Sequence, residues 1–336
     1  MTSIQKKNAL KKKIFLTAIL IVVFGCMTAI AFGETYMALM FCRIGIYTIA
    51  VSGLDILFGY TGQISFGHAA FFAVGSYTSA YFSINMGWNP IFTMLIGVVF
   101  SMIVGAVIAI PATKLVKHFL SLLTIAFGQL VYTFANSTRP ITGGASGLKD
   151  IPSISIFNFS FDTYAKSFIF IFILAVLLTI VKQNIVKSRT GRAFLAIREN
   201  TQAAYSSGIN VRVYKTMAFV ISAAYAGLAG GLYAHLINFI SPDTFSSTQS
   251  TLFMTILLFG GMANLAGPLV GSVVLLTIKE FLQSFSTYQM MVYAVLILIV
   301  LFLLPNGISG ECKVLFRKLL GKYKSCLLYT SPSPRD

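Results

Sequence analysis

The chain has 336 residues, 57% of them hydrophobic and only 10% charged, with a mean hydropathy of +0.83. A soluble domain carries about a quarter charged residues, so this composition excludes one and indicates an integral membrane protein. The net charge of +16 does not imply a nucleic-acid partner, because the basic residues sit between apolar spans, where lipid and topology account for them.

Five lysines (Lys6, Lys7, Lys11, Lys12, Lys13) precede a 19-residue apolar run at 14–32. Ala29 and Ala31 resemble a signal-peptidase site, but the run is long for a signal core and further spans follow. It is therefore read as an uncleaved first helix. Further spans are expected at 43–60, 66–86, 91–110, 119–136, 167–181, 217–238, 251–264, 268–285 and 290–304. The span at 251–264 is short enough to be re-entrant. Lipid cannot satisfy exposed backbone groups, so these spans are helices. The expected fold is all-α and polytopic, with about 8–10 transmembrane helices. Three regions follow: a basic N-terminus (1–13), a transmembrane domain (14–304) and a basic tail (305–336). The last dozen residues, SCLLYTSPSPRD, shift to Ser and Pro and read as disordered or foreign to the fold.

Positive charge sets the orientation. With both termini in the cytoplasm, 19 of the 25 basic residues fall on the cytoplasmic side, as the positive-inside rule requires. Seven of them lie in one loop, 182–215: Lys182, Lys187, Arg189, Arg192, Arg198, Arg212 and Lys215, against the single acid Glu199. The middle of this loop is expected to form one amphipathic helix. Phe194, Ile197, Thr201, Ala204, Tyr205 and Gly208 fall on one side, with Arg192, Glu199, Gln202 and Ser206 on the other. Gly208 can end that helix in the left-handed conformation. A structured basic helix offers a docking surface; a plain positive-inside loop is the alternative.

Other features are weighed the same way. The stretch Gly53–Tyr77 scatters glycines among polar residues, with Gly59, Thr61, Gly62, Gln63, Ser65 and His68 at its centre. A Gly-rich break at membrane depth lines a cavity or allows tight packing. Asp55, an ionisable group inside an apolar span, is a candidate for the same path. Lys279 and Glu280 are adjacent, point about 100° apart and are expected to pair with other helices. Small-residue ladders (Ala223, Gly227, Gly231; Ala226, Gly230, Ala234; Ala263, Gly267, Gly271) are expected to pack helix on helix. The cysteines (Cys26, Cys42, Cys312, Cys326) and histidines (His68, His118, His235) show no ligand spacing, so no metal site, cofactor or catalytic cluster is expected. No phosphate-binding loop is recognisable: the only Gly-Lys pair, Gly321–Lys322, has Phe316 in place of the first glycine.

Four stretches in order carry a resemblance: GYTGQISFGHAAFFAVGSYTSAYF; LTIAFGQLVYTF with ITGGASGL; GRAFLAIRENTQAAYSSGINVRVYKTMAFVISAAYAGLAGGLYA; and GGMANLAGPLVGS. Together, over roughly residues 40–310, they resemble the permease subunits of bacterial branched-chain amino-acid ABC transporters, specifically the M type. The resemblance implies a multi-pass protein of the bacterial cytoplasmic membrane with ABC-importer permease architecture. It also implies an H-type sister permease, two cytoplasmic ATPase subunits that bind the ATP, and an extracytoplasmic amino-acid-binding protein. Such permeases carry a cytoplasmic coupling helix with a loose E-A-A-x-x-x-G pattern. Gln202, Ala203, Ala204 and Gly208 occupy it here, with Gln in place of Glu and with Arg192, Arg198 and Glu199 alongside. Asp55 departs from the family, which more commonly shows Asn. The rival is a stand-alone secondary transporter or channel, resting on intramembrane acids such as Asp55 and Glu280; a membrane enzyme is a more distant one.

Overall fold

The computed structural model describes residues 33–113, 117–156, 159–161, 163–282 and 307–311, together with 292, 294, 295 and 298. The predicted span at 14–32, nearly all of 290–304 and the Ser/Pro-rich end lie outside the described residues. Five helical segments are long and apolar enough to cross a membrane: Thr35–Tyr60, Pro90–Ala112, Phe119–Ser137, Tyr164–Lys187 and Val211–Ile237.

The elements run in order. Helix α1 (Thr35–Leu54) continues directly into a π-helical segment, Asp55–Tyr60. An irregular stretch leads to α2 (His68–Met86), which ends at Gly87 in the left-handed region. Helix α3 (Pro90–Ala112) starts from Asn89, whose side chain accepts from the Ile91 amide at 3.0 Å, with proline at the first helical position. Then come α4 (Lys117–Ser137), the single turn α5 (Arg139–Thr142) and a minimal hairpin of β1 (Ser155–Ile156) and β2 (Phe159–Ser160). Helix α6 (Tyr164–Lys187) leads to two short helices, α7 (Arg189–Glu199) and α8 (Thr201–Ser206), and then to α9 (Val211–Ile237). Helices α10 (Ser247–Gly260) and α11 (Gly267–Leu282) follow, and residues 307–311 are again helical.

Helix α9 is the axis of the bundle and packs on α1, α2 and α3. Small residues allow this: a methyl group on Gly75 of α2 would strike the Gly227 carbonyl, and one on Gly230 would strike the Phe72 carbonyl. The first two ladders therefore pack internally, with Ala223, Ala226 and Ala234 fully buried. The third does not lie on one helix. Ala263 sits in the turn between α10 and α11 with φ +52°, because the chain must reverse there within six residues.

Two other expectations change. Helix α6 runs on to Lys187, so Lys182 and Lys187 belong to a membrane helix rather than to the loop. Helix α10 has 14 residues, about 21 Å of rise, against a hydrocarbon core of about 30 Å. It pairs with α11 as a short hairpin across α1. Among the described residues neither Lys279 nor Glu280 makes an ion pair; the one found there joins Lys182 to Asp55.

The glycine-rich segment 139–150 is an ordered cap. Gly143, Gly144 and Gly147 all take positive φ, and Leu148 pairs with Ile240 just beyond α9. Asn238 ends α9 at φ +59°, its side-chain amide donating to the Ile151 carbonyl at 2.6 Å. His235 lies beneath, bonded to Ser79 at 2.8 Å and to the Pro152 carbonyl at 2.7 Å.

Candidate functional site: a buried ion pair beneath a basic helical connection

The basic connection between α6 and α9 is tightly built. Ser188 breaks α6 and caps α7, accepting from the Gly191 amide. Gly191 lies so close to the Val186 carbonyl that a methyl group could not fit, and this folds α7 back against α6. Ala193, Phe194 and Ile197 are buried, and Phe194 meets Tyr214 of α9 edge to face at 6.3 Å.

The single amphipathic helix expected here is two helices. Asn200 interrupts it with extended backbone, and its side chain accepts from the amides of Gln202 at 2.9 Å and Ala203 at 3.0 Å. An Asn oxygen that satisfies two orphan donors makes a new N-terminus more favourable than continuing α7. Gly208 then closes α8 at φ +81°, in the left-handed conformation expected of it. The break re-aims the side chains. Ala204 remains buried, but Tyr205, placed on the apolar side by a continuous period, is 74% exposed. Gln202, Ala203, Ser206 and Gly208 are exposed with it, as are Arg192 and Glu199 on α7.

Arg198 behaves differently. It is half-buried, and its guanidinium donates to the Gly59 carbonyl in the π-helical segment. A π-helical stretch leaves carbonyls free of the regular i−4 ladder, and such stretches occur frequently at functional sites. One turn earlier, Asp55 is fully buried. Its Oδ2 lies 2.7 Å from Lys182 Nζ, also fully buried, and its Oδ1 accepts from the Ala263 amide at 2.7 Å. Gly59 is required beside it, since a methyl group there would collide with the Asp55 carboxylate. Four elements thus meet at one carboxylate: the π segment, α6, the α10–α11 turn and, through Arg198, α7. Lys182 stands five residues before the end of α6, about 8 Å inside the helix.

The remaining path candidates surround this hub. Thr61 donates to the Leu57 carbonyl, and Gln63 donates to Thr61 at 2.9 Å and to the Lys215 carbonyl at 3.3 Å. Ser65 and His68 are fully buried, and the His68 ring bonds the Ala50 carbonyl at 2.9 Å. Thr61, Gly62 and Gln63 line a cavity of about 20 Å³ together with Ala112, Leu120, Ile197, Thr201 and Lys215. That volume holds a water molecule. The structure therefore brings Asp55, Gly59 and Arg198 together, puts 61–68 in the seam between membrane helices and basic connection, and leaves the α8 residues outside on the surface.

Lys182 reads in the sequence as part of the loop, and the structure places it on α6. Its helical spacing from Phe168, Ile171 and Ala175, all buried on α6, is the signal that it points inward.

Comparison with known proteins agrees with this architecture. The chain is 28% identical over 324 residues to the high-affinity branched-chain amino acid transport system permease protein LivM of Escherichia coli (strain K12), covering 90% of this chain and 76% of that protein. It is 23% identical to the probable branched-chain amino acid transport permease protein LivM of Methanocaldococcus jannaschii, covering 80% and 91%. It is 27% identical to the corresponding permease protein LivH of Escherichia coli (strain K12), covering 80% and 92%. No solved structure shows a significant match. Residues 36–301, most of the chain, match the family described as branched-chain amino acid transport system, permease component, and the chain belongs to that family.

Proposed function

We propose that this chain is one of two permease subunits of an ATP-driven importer for branched-chain amino acids. It lies in the bacterial cytoplasmic membrane with both termini and the α6–α9 connection on the cytoplasmic side. The observation that carries the reading is the α7–α8 unit: a capped, exposed surface of Gln202, Ala203, Tyr205 and Ser206, anchored to the membrane helices by Arg198 and Phe194. A flexible positive-inside loop needs neither the caps nor the anchor.

In the proposed mechanism an external binding protein delivers Leu, Ile or Val, and two cytoplasmic ATPases close on ATP. One ATPase holds α8, and its movement pulls α7. Because Arg198 grips the Gly59 carbonyl, the displacement reaches the π segment and, through Asp55, both Lys182 on α6 and the α10–α11 turn. The sister permease, similar to LivH, supplies the other half of the pathway. Catalysis of ATP hydrolysis resides in the partner subunits.

The stand-alone transporter loses its main support. Both Asp55 oxygens are engaged, one by Lys182 and one by the Ala263 amide, so this acid is not a free coupling-ion ligand. Co-purification tests the docking assignment. Tyr205→Ala with Gln202→Ala should abolish retention of the ATPase on the tagged permease while leaving its elution volume unchanged. Undiminished retention would place the docking surface elsewhere.

A further inference from the structure

Helices α3, α4 and α6 are the least covered of the long apolar helices, and two of them show what lipid exposure looks like here. Every exposed position of α3 between Phe92 and Pro111 is apolar. On α6 every exposed position from Ile173 to Val181 is apolar, and the exposed polar residues Lys166, Asn184 and Lys187 stand only in its end turns. Helix α4 breaks that rule. Gln129, Thr133 and Asn136 are all exposed, and no side-chain hydrogen bond holds any of them within the described residues.

Their placement is specific. Leu120, Thr124, Phe127 and Ala135 form the buried stripe by which α4 packs on α2. At 100° per residue, Gln129, Thr133 and Asn136 are centred about 165° around the helix from that stripe, almost directly opposite. Gln129 stands ten residues from Phe119 and eight from Ser137, near the middle of the span. A primary amide facing hydrocarbon at that depth has no partner, and such groups instead face a bundle interior or water. Among the described residues none covers these three side chains.

We propose that the outer face of α4 lines the substrate path, facing the sister permease across it, and that Gln129, Thr133 and Asn136 form a track for the charged head group of a zwitterionic α-amino acid. The proposal rests on the two-permease reading above. In that orientation Asn136 lies at the external mouth, Thr133 a turn deeper and Gln129 at mid-membrane. Amides and hydroxyls both donate and accept, so the same three groups serve the carboxylate and the ammonium in turn. Being uncharged and successive, they bind weakly enough to release, as conduction requires.

The test uses the assembled transporter in proteoliposomes. Gln129→Cys and Thr133→Cys are compared with Val99→Cys on α3 and Ile173→Cys on α6, after subtraction of the labelling of native cysteines. A membrane-impermeant thiol reagent should label the α4 positions well above both controls, and leucine with its binding protein should protect them. Gln129→Leu should lower uptake by about tenfold, the order expected for one lost hydrogen bond to a charged group, with the complex still assembled. Labelling at 129 and 133 no higher than at 99 and 173 would overturn the path assignment. Strong labelling with unchanged uptake in Gln129→Leu would overturn the head-group role. ATP-driven uptake by the wild-type complex is measured in the same vesicles. If it proceeds while the α4 results fail, only this inference falls; if it is absent, the importer reading falls first and this with it.

Discussion

Asp55 and Lys182 are 127 positions apart in sequence, yet their side chains meet at 2.7 Å with neither exposed to solvent. Two charges buried at the edge of a membrane bundle are costly, and their mutual attraction is favourable only while both are present. Removing one partner is therefore expected to be worse than removing both. Asp55→Asn and Lys182→Met should each destabilise the protein by about 3–5 kcal/mol, and the double variant should recover most of the loss. Thermal unfolding of the three variants in detergent checks this; a double variant less stable than either single would mean the two residues do not act as a pair.

Arg198 and Arg192 sit on the same short helix with different work to do. Arg198 holds the Gly59 carbonyl, whereas Arg192 is exposed and reaches only the Lys187 carbonyl at 3.4 Å. Arg198→Ala should leave ATPase binding intact and reduce the uptake obtained per ATP hydrolysed by about tenfold, as expected for one hydrogen bond from a charged donor. Arg192→Ala should weaken docking instead and leave that ratio unchanged. The two ratios, measured in one vesicle preparation, separate transmission from docking.

Gly208 is a conformational requirement without a steric one. Its φ is +81°, and nothing lies within 4 Å of where a side chain would begin. Gly208→Asn should be tolerated, because asparagine visits the left-handed region readily. Gly208→Val should cost about 1–2 kcal/mol in the α8 cap and lower uptake. Equal activity of the two variants would show that the positive φ is not needed.

Two glycines on packed helices should respond oppositely to alanine. A methyl group on Gly75 meets backbone of α9, while at Gly128 of α4 the nearest atom is the Gly67 Cα at 3.8 Å. Gly75→Ala should destabilise by about 1–3 kcal/mol as an overpacked contact, and Gly128→Ala should be neutral or better. Melting temperatures of the purified variants report the difference.

Much of this was legible from local pattern. Apolar length located the helices, because lipid leaves the backbone few alternatives. The left-handed stop at Gly208 followed from glycine chemistry alone. What could not be read was pairing at a distance. Lys182 follows an apolar span that ends at Val181 by composition, and only its register with Phe168 and Ala175 places it inside. A continuous helical period runs through Asn200 in the sequence; two amides bonded to its side chain break the helix there, and Tyr205 turns outward as a result. Gln129 and Thr133 carry no signal of their own in the sequence, because a helix can hide two polar groups as easily as display them, and coverage by neighbouring helices is set by the fold.

The central claim, that this chain is half of an ATP-driven import path, is tested most directly by leucine uptake into proteoliposomes. The chain, its sister permease and the ATPases are reconstituted with the binding protein outside and ATP sealed inside. Uptake should require ATP, both permeases and the binding protein, and should be indifferent to collapse of proton and sodium gradients. Uptake by this chain alone, driven by an ion gradient and unchanged without ATP, would contradict it.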